Sequence, residues 1–213
     1  YTAITGSNKI MPLFSILIPT RNRSSLLKTS LPTAINQNFQ DYEIVVSDNN
    51  SSDDTRDFIE SQSQIYKKIR YVNPGQDLSM CDHFDFVFRQ SRGEYIIYLS
   101  DDDALTHNAL TIAAQLIEKF PIKLLVWRRG YYQHPDVPEK DLQGRLTYKL
   151  SSGGLYEISS HLVLQSFCNF TFGKIYAQYP KMLNGVTHRS VIENCMKVTG
   201  GFHLPPFPDH SAA

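Results

Sequence analysis

The segment GEYIIYLSDDDAL, residues 93–105, places a short apolar run directly before three consecutive aspartates. An apolar run of this length is typical of a strand that is buried on both faces of a parallel sheet. Two earlier segments have the same organisation, SILIPTRNR at 15–23 and EIVVSDNNSSDDT at 43–55. Because such runs alternate with helix-like segments, the sequence predicts an α/β fold with a mostly parallel sheet flanked by helices.

Five strands are predicted, over residues 13–19, 42–48, 69–73, 93–100 and 123–129. A helix is expected after Arg23, kinked or split at Pro32 because proline lacks a backbone donor. Another helix is expected from Ser52, where Ser51 and Asp54 have the spacing of a capping box. Beyond residue 130 the pattern is less regular, with a polar loop over 130–145, a short strand over 146–150 and helices over 159–167 and 188–198.

Composition excludes several classes of protein. Lysine plus arginine and aspartate plus glutamate both number 21, so there is no global charge to attract nucleic acid. The three cysteines form no CxxC pair, which argues against a zinc knuckle or a disulfide framework. No apolar run approaches the roughly 18 residues of a transmembrane helix, and the N-terminus lacks the apolar core of a signal peptide. We therefore expect a cytoplasmic protein without a transmembrane segment.

The triple aspartate is the strongest chemical signal in the sequence. Asp101, Asp102 and Asp103 repel one another, and no lysine or arginine lies within seven residues on either side. Mg²⁺ and Mn²⁺ prefer such oxygen ligands, commonly one or two carboxylates together with substrate phosphates. A solvated acidic turn that caps the following helix is the alternative, and composition alone leaves both interpretations open.

Position favours a ligand site, because parallel α/β sheets bind ligands beyond the carboxyl ends of their strands. Polar groups follow three predicted strands and are expected to meet at one edge of the sheet. A carboxylate after the second strand suits a ribose or a base imino group, and the acidic triplet suits metal-bound phosphate. A nucleoside diphosphate with a divalent ion fits all three groups, which are Thr20–Asn22, Asp48–Asn50 and Asp101–Asp103.

The usual nucleotide-binding motifs are missing from the sequence. No GxGxxG follows the first strand, and no GxxxxGK[ST] occurs anywhere. The sequence also has no GxSxG elbow, HExxH helix or basic aromatic stripe. A metal-mediated phosphate site is the remaining interpretation.

The three quoted segments resemble the signature segments of family 2 glycosyltransferases with the GT-A fold. The resemblance covers roughly residues 13–120, because three motifs occur in the right order and at plausible spacings. It implies a Rossmann-like sheet and metal-dependent transfer of one sugar, with inversion, from a nucleotide diphosphate sugar to an acceptor hydroxyl. The carrier in such proteins is usually UDP, and the cofactor is Mg²⁺ or Mn²⁺.

The resemblance also implies roles for individual residues. The nucleotide would be bound by Pro19, Thr20, Arg21, Asp48, Asn50 and Asp101, with Asp48 on the base and Asp101 on the ribose. Metal ligands would be Asp102 and Asp103, although the register of the DxD motif within residues 100–103 is open by one residue. The general base of this family is an acidic residue well after the DxD, and Asp209 matches best. Possible acceptor-side or auxiliary residues are His203, His210 and Tyr131.

The resemblance gives the expected domain organisation as well. Residues 1–12 would be an N-terminal arm and residues 13–213 a single GT-A domain. Within that domain, residues 13–130 would bind the nucleotide sugar. Residues 131–213 would form a less regular acceptor side, which could be truncated in this sequence. The acceptor would be a glycan or a lipid-linked oligosaccharide, which leaves open an association with the inner face of the membrane. The absence of QxxRW after Asp209 argues against a processive synthase.

Two other functions stay open at this point. A non-catalytic module for nucleotide sugars or glycans would keep the donor half of the fold without a working base. A sugar-phosphate nucleotidyltransferase would also use a nucleotide, a divalent metal and an α/β sheet. That class ordinarily has a glycine-rich basic loop after the first strand, and PTRNRSS contains no glycine.

Overall fold

The computed structural model describes residues 11–133, 135, 137–148, 154–169 and 182–203. The chain forms two compact units, one from residues 1–125 with 180–213 and the other from residues 126–179.

Eight strands occur among the described residues: β1 (Phe14–Thr20), β2 (Tyr42–Asp48), β3 (Ile69–Val72), β4 (Tyr95–Tyr98), β5 (Leu124–Val126), β6 (Tyr131–Tyr132), β7 (Leu146–Thr147) and β8 (Gly185–His188). Six of them form one sheet in the order β3-β2-β1-β4-β8-β5. The β1–β2, β1–β4 and β2–β3 pairs are parallel, and β4–β8 is antiparallel. This mostly parallel sheet confirms the predicted α/β class.

In the part of the chain that the structure describes there are six α-helices: α1 (Ser24–Ile35), α2 (Thr55–Ile65), α3 (Met80–Gln90), α4 (Ala109–Lys119), α5 (Ser160–Cys168) and α6 (Arg189–Thr199). A 3₁₀ turn over Met182–Asn184 precedes β8. Ser79 caps the N-terminus of α3, and its hydroxyl accepts from the Asp82 amide at 3.2 Å. The α6 helix ends at Gly200, which adopts a left-handed φ of 81° that glycine tolerates without strain.

The central strands are buried along their whole length, as their apolar runs predict. All seven residues of β1 and all seven of β2 are buried. One core cluster packs α3 and α6 against these strands and β4, through side chains that include Leu17, Val87, Tyr98 and Ile192. This rigid centre fixes the positions of the strand ends.

A buried polar network holds the amino ends of β1, β2 and β4 together. The Ser15 hydroxyl donates to Glu43 Oε1 at 2.7 Å and accepts from the Gly93 amide at 2.7 Å. A Cβ atom at Gly93 would lie 2.4 Å from the Ser15 amide nitrogen, so the approach of these two backbones requires glycine. This network lies at the end of the sheet opposite to the predicted site.

Two predicted details of the α1 and α2 helices are wrong: α1 is not split at Pro32, and α2 has no capping box at Ser51 and Asp54. The α1 helix runs unbroken through Pro32, and the Asn36 amide bonds to the Pro32 carbonyl at 3.0 Å. The α2 helix begins at Thr55 without a side-chain cap at Asp54. The predicted cap residue Ser51 instead accepts a hydrogen bond from the Asn22 amide at 2.8 Å, which ties it to the loop after β1.

The second unit contains structure in a region predicted to be a loop. There β6 pairs antiparallel with β7, with Tyr131 opposite Thr147 and Tyr132 opposite Leu146. The prediction of a loop over 130–145 is therefore wrong at its first residues, because two-residue strands give too little alternation to detect. The helix predicted over 159–167 is confirmed as α5.

Candidate functional site

The carboxyl ends of β1 and β2 form the floor of the candidate site. Thr20, the last residue of β1, lies in register with Asp48, the last residue of β2. The Asn49 amide donates to the Thr20 carbonyl at 2.9 Å, and the Leu99 amide donates to the Leu17 carbonyl at 2.9 Å. The chain after β4 therefore stays beside β1, and the three strand ends meet at one edge.

Asp101 is held at the centre of this edge. Its side chain is 4% exposed. Its Oδ2 accepts from the Thr20 hydroxyl at 2.7 Å, and its Oδ1 accepts from Arg23 at 2.7 Å. Burial raises the pKa of Asp101, and the hydrogen bond from Thr20 and the charge of Arg23 oppose that rise. The carboxylate is thus anchored to the loop after β1.

Asp102 lies nearer to solvent and shares the same arginine. Its side chain is 37% exposed, and its Oδ2 lies 3.2 Å from Nη1 of Arg23. Its Oδ1 accepts from the Ser100 hydroxyl at 2.5 Å. Burial acts to lower the pKa of Arg23, but the charges of Asp101 and Asp102 outweigh it and raise that pKa. One guanidinium therefore bridges two adjacent carboxylates.

Asp48 is buried at the end of β2, with 1% of its surface exposed. Its Oδ1 accepts from the Ser51 amide at 2.9 Å, and its Oδ2 accepts from the Tyr71 hydroxyl at 3.0 Å. Asn73 donates in turn to that hydroxyl at 3.2 Å. Because a carboxylate oxygen has more than one lone pair, Asp48 keeps the capacity to accept a further N–H.

Arg21 and Asn50 converge on one carboxylate at the rim of the site. Arg21 forms an ion pair with Asp77, and Asn50 donates to Asp77 Oδ1 at 2.9 Å. The hydrogen bond from Asn50 and the charge of Arg21 lower the pKa of Asp77. Loops that follow β1, β2 and β3 are thereby linked through exposed polar groups.

Two non-glycine residues at this rim adopt left-handed backbone conformations. The φ angles are 52° at Asn22 and 57° at Asn50. Asparagine is among the residues that tolerate this region best, and such conformations cluster at functional sites. Asn22 Oδ1 also accepts from the Ser52 amide at 2.7 Å, so the turn after β1 is tied to the turn after β2.

A buried histidine supports the floor from below. Ser47 lies in register with Pro19. Its hydroxyl oxygen is 2.8 Å from Nε2 of His83. Burial lowers the pKa of His83 to about 4, while the neighbouring charge of Asp48 opposes the shift. The imidazole is therefore neutral at neutral pH.

The exposed carboxylates suit a hard divalent cation. Among the described residues, no group of three or more His, Cys, Asp or Glu side chains is arranged to hold a metal ion. Asp102 and Asp103 are nevertheless exposed at the strand edge, and Mg²⁺ is commonly bound by one or two carboxylates together with substrate phosphates. The donor set therefore fits a metal that is completed by a phosphate ligand.

His203 lies in the core of the first unit, where it is buried beside Asp85. Its Nδ1 lies 2.5 Å from Oδ1 of Asp85, whose carboxylate also accepts from the amides of Phe202 and His203 at 3.0 and 3.1 Å. Its Nε2 has no hydrogen-bond partner among the residues that the structure describes. Burial acts to raise the pKa of Asp85, but the hydrogen bond from His203 outweighs it and lowers that pKa. The pair fastens the residues after α6 to α3.

Three further predicted site residues are Tyr131, Asp209 and His210. Tyr131 lies on β6 in the second unit and is 56% exposed. Asp209 and His210 fall outside the described residues. Their roles, like those of the other site residues, stay predictions.

Sequence reasoning did not single out three residues that shape the site. Arg23, Tyr71 and Asp77 contact predicted residues from sequence distances of 78, 23 and 27. Arg23 is the last residue of the segment SILIPTRNR, so its position just after β1 was the available signal. Nothing in the sequence around Tyr71 or Asp77 indicated their partners.

No helix among the described residues is long and apolar enough to cross a membrane.

Comparison with known proteins gives a family and several curated relatives, among them a Campylobacter and a Streptomyces protein. The sequence model described as glycosyl transferase family 2 matches residues 15–175. A Campylobacter jejuni protein, the GalNAc(5)-diNAcBac-PP-undecaprenol β-1,3-glucosyltransferase, is 36% identical over 106 residues, which are 49% of this chain and 34% of that protein. A validoxylamine A glucosyltransferase of Streptomyces hygroscopicus is 42% identical over 69 residues, 32% of this chain and 16% of that protein. The matched part of the chain spans about a third or less of these relatives.

Two solved structures share the fold. The match with TarS 1–349 of S. aureus in complex with UDP-GlcNAc covers 85% of this chain and 46% of the TarS chain. Its TM-score is 0.58, and the sequences are 16% identical. The mannosyltransferase PcManGT of Pyrobaculum calidifontis in complex with GDP-Man and Mn²⁺ covers 94% and 50%, with a TM-score of 0.61 and 15% identity. At these identities the likeness concerns the fold, which is the one predicted here.

Proposed function

Because the chain belongs to glycosyl transferase family 2, we propose that it transfers a single sugar from a nucleotide diphosphate sugar to an acceptor hydroxyl. The observation that carries this proposal is the meeting of Thr20, Asp48 and Asp101 at one edge of the sheet. Ligands of open α/β sheets bind at this edge.

The donor nucleotide would bind with its base at Asp48 and its ribose at Asp101. A buried carboxylate that retains acceptor capacity suits the imino N–H of a base, and uracil and guanine both carry one. The family resemblance favours UDP as the carrier. Arg21, together with Asn50 and the end of β1 at Pro19 and Thr20, would line the diphosphate side of the site.

The transfer would depend on Mg²⁺ or Mn²⁺ held by Asp102 and Asp103. Support comes from the exposure of both carboxylates at the strand edge and from the Mn²⁺ present with PcManGT, which shares the fold. When bound, the ion would neutralise charge on the departing diphosphate.

Chemistry at the sugar would be an inverting displacement. The acceptor oxygen attacks the anomeric carbon, the bond from that carbon to the diphosphate oxygen breaks, and a carboxylate takes the acceptor proton. We assign that carboxylate to Asp209, on the family resemblance. The nucleoside diphosphate leaves with the electron pair of the broken bond.

The acceptor would be a glycan or a lipid-linked oligosaccharide at the cytoplasmic face of a membrane. Support comes from the Campylobacter relative, whose name specifies an undecaprenol-linked substrate. The domain arrangement that we propose places donor binding in residues 13–130 and the acceptor side in residues 131–213.

The experiment measures nucleoside diphosphate release from UDP-sugars by the wild-type chain and by Asp209→Asn, with Mn²⁺ and with pooled lipid-linked and free glycan acceptors. Acceptor-dependent release that Asp209→Asn abolishes supports the proposal. Unchanged release by Asp209→Asn overturns the assignment of the base. Nucleotide binding without any release by the wild type would favour a non-catalytic binding module instead.

A further inference from the structure

We propose that Arg23 is the internal counter-cation of Asp101 and Asp102, and that it must leave Asp102 before a divalent ion binds there. Metal and nucleoside diphosphate would then bind cooperatively, because the diphosphate gives the guanidinium another anionic partner. This inference rests on the proposed function, since it assumes that the strand edge binds a metal and a diphosphate.

The geometry accounts for every oxygen of the two carboxylates. Asp101 accepts from Thr20 and from Arg23, each at 2.7 Å. Asp102 accepts from Ser100 at 2.5 Å, and its other oxygen lies 3.2 Å from the same Nη1 of Arg23. The protein itself thus supplies the positive charge that the local sequence lacks, from a position 78 residues away.

The two contacts of Arg23 differ in strength and in access to solvent. The contact with Asp101 is short, and that carboxylate is 4% exposed. The contact with Asp102 is 0.5 Å longer (3.2 against 2.7 Å), and that carboxylate is 37% exposed. The side chain of Arg23 is itself 46% exposed, so it has room to turn toward solvent. The bond to Asp102 is therefore the one that exchanges.

A divalent ion and the guanidinium compete for the same oxygen of Asp102. A metal ion bound there would lie next to a fixed positive charge, and like charges at such distances repel. A diphosphate relieves this repulsion, since it offers arginine the paired oxygens that its planar fork binds best. By linkage, each ligand then raises the affinity for the other by the same factor.

The test compares Mn²⁺ binding to the wild type and to Arg23→Gln by isothermal titration, without nucleotide and with saturating UDP. We expect Arg23→Gln to bind Mn²⁺ alone about fivefold more tightly than the wild type, because the competing charge is gone. We also expect UDP to raise Mn²⁺ affinity less in the variant than in the wild type. Unchanged or weaker Mn²⁺ binding by Arg23→Gln without nucleotide overturns the inference.

Arg21→Gln is the matched control for the Mn²⁺ titration without nucleotide. It removes the same charge from the same loop, but Arg21 pairs with Asp77, whereas Arg23 pairs with Asp101 and Asp102. If Arg21→Gln raised Mn²⁺ affinity as much as Arg23→Gln does, the loss of any nearby positive charge would explain the increase. That result would contradict the proposal.

A second pair of variants guards against misfolding of Arg23→Gln, which leaves the buried Asp101 without its cation. The Asp101→Asn variant lacks the buried carboxylate that Arg23 neutralises. Mn²⁺ affinity is therefore compared between the double variant Asp101→Asn with Arg23→Gln and the single variant Asp101→Asn. Tighter Mn²⁺ binding by the double variant supports the inference, and equal binding overturns it. Failure of the wild type to bind UDP in the presence of Mn²⁺ would instead count against the proposed function.

Discussion

The hydroxyl of Tyr71 donates a 3.0 Å hydrogen bond to Oδ2 of Asp48 and so joins the end of β3 to the end of β2. Among the residues that the structure describes, the Ser51 amide is the other hydrogen-bond donor to this carboxylate. A positioned carboxylate is what recognition of a base N–H requires.

Tyr71→Phe is expected to weaken UDP binding about fivefold to tenfold, because one hydrogen bond that orients Asp48 is lost while the ring stays. Isothermal titration in the presence of Mn²⁺ measures the change. Tyr66→Phe, at the exposed C-terminal end of α2, is the control and should bind like the wild type. Equal affinities of the two variants would show that Tyr71 does not orient Asp48.

Asp102→Ala is expected to weaken UDP binding in the presence of Mn²⁺ by about tenfold or more, because the metal loses a carboxylate ligand. The melting temperature should stay close to that of the wild type, since exposed ion pairs contribute little to stability. Titration calorimetry and thermal unfolding measure both. The control, Asp54→Ala, removes an exposed carboxylate that pairs with Lys28 of α1 and should leave binding unchanged. Mn²⁺-dependent binding that survives in Asp102→Ala would argue against this metal ligand.

The stability of the fold should depend on pH through His83. Its pKa falls from 6.5 to about 4 on folding, so the unfolded chain binds a proton in this range and the folded chain does not. The contribution of neutral His83 to the free energy of unfolding is therefore fully present above about pH 6.5 and is lost as the pH falls toward 4. Between about pH 7.5 and 4.5 the loss amounts to about 2 to 3 kcal/mol.

His83→Gln removes this titration and is the direct comparison. Urea unfolding of both proteins at several pH values should show that the wild type loses stability more steeply than the variant below about pH 6.5. Parallel pH profiles would mean that His83 titrates normally in the folded protein.

Gly93→Ala is expected to destabilise the protein by about 3 kcal/mol, because a Cβ atom would lie 2.4 Å from the Ser15 amide nitrogen and force two strands apart. The urea midpoint measures the loss. Gly130→Ala serves as the control, since its Cβ would meet its nearest neighbour at 3.5 Å, an ordinary contact. Similar midpoints for the two variants would contradict the close approach of β1 and the segment before β4.

Local sequence patterns were sufficient to predict the main strands. The apolar runs of β1 and β2 carry their own signal, because a strand covered on both faces is apolar at nearly every position. The β8 strand carries none. Its sequence GVTH is four residues long, and it becomes a strand by pairing with β4 about 90 residues earlier in the chain.

The candidate site also contains residues whose positions local sequence patterns predict and residues whose positions they do not. Thr20, Asp48 and Asp101 were predictable, because each follows an apolar run and parallel strands end at one edge. The pairing of Asp101 with Arg23 was not predictable from the sequence. The two residues are 78 positions apart, and a search for basic residues close to Asp101 in sequence does not reach Arg23. Contacts made by the loops depend on the assembled sheet and leave no local pattern.

The central claim is that this edge of the sheet binds a nucleoside diphosphate with a divalent metal. Isothermal titration of UDP, GDP and dTDP into the protein, first with Mn²⁺ and then with EDTA, tests it most directly. The account predicts tight binding of one diphosphate, UDP, that disappears when EDTA removes the metal. Absence of binding by all three diphosphates in the presence of Mn²⁺ would contradict the claim and leave the triple aspartate as a solvated turn.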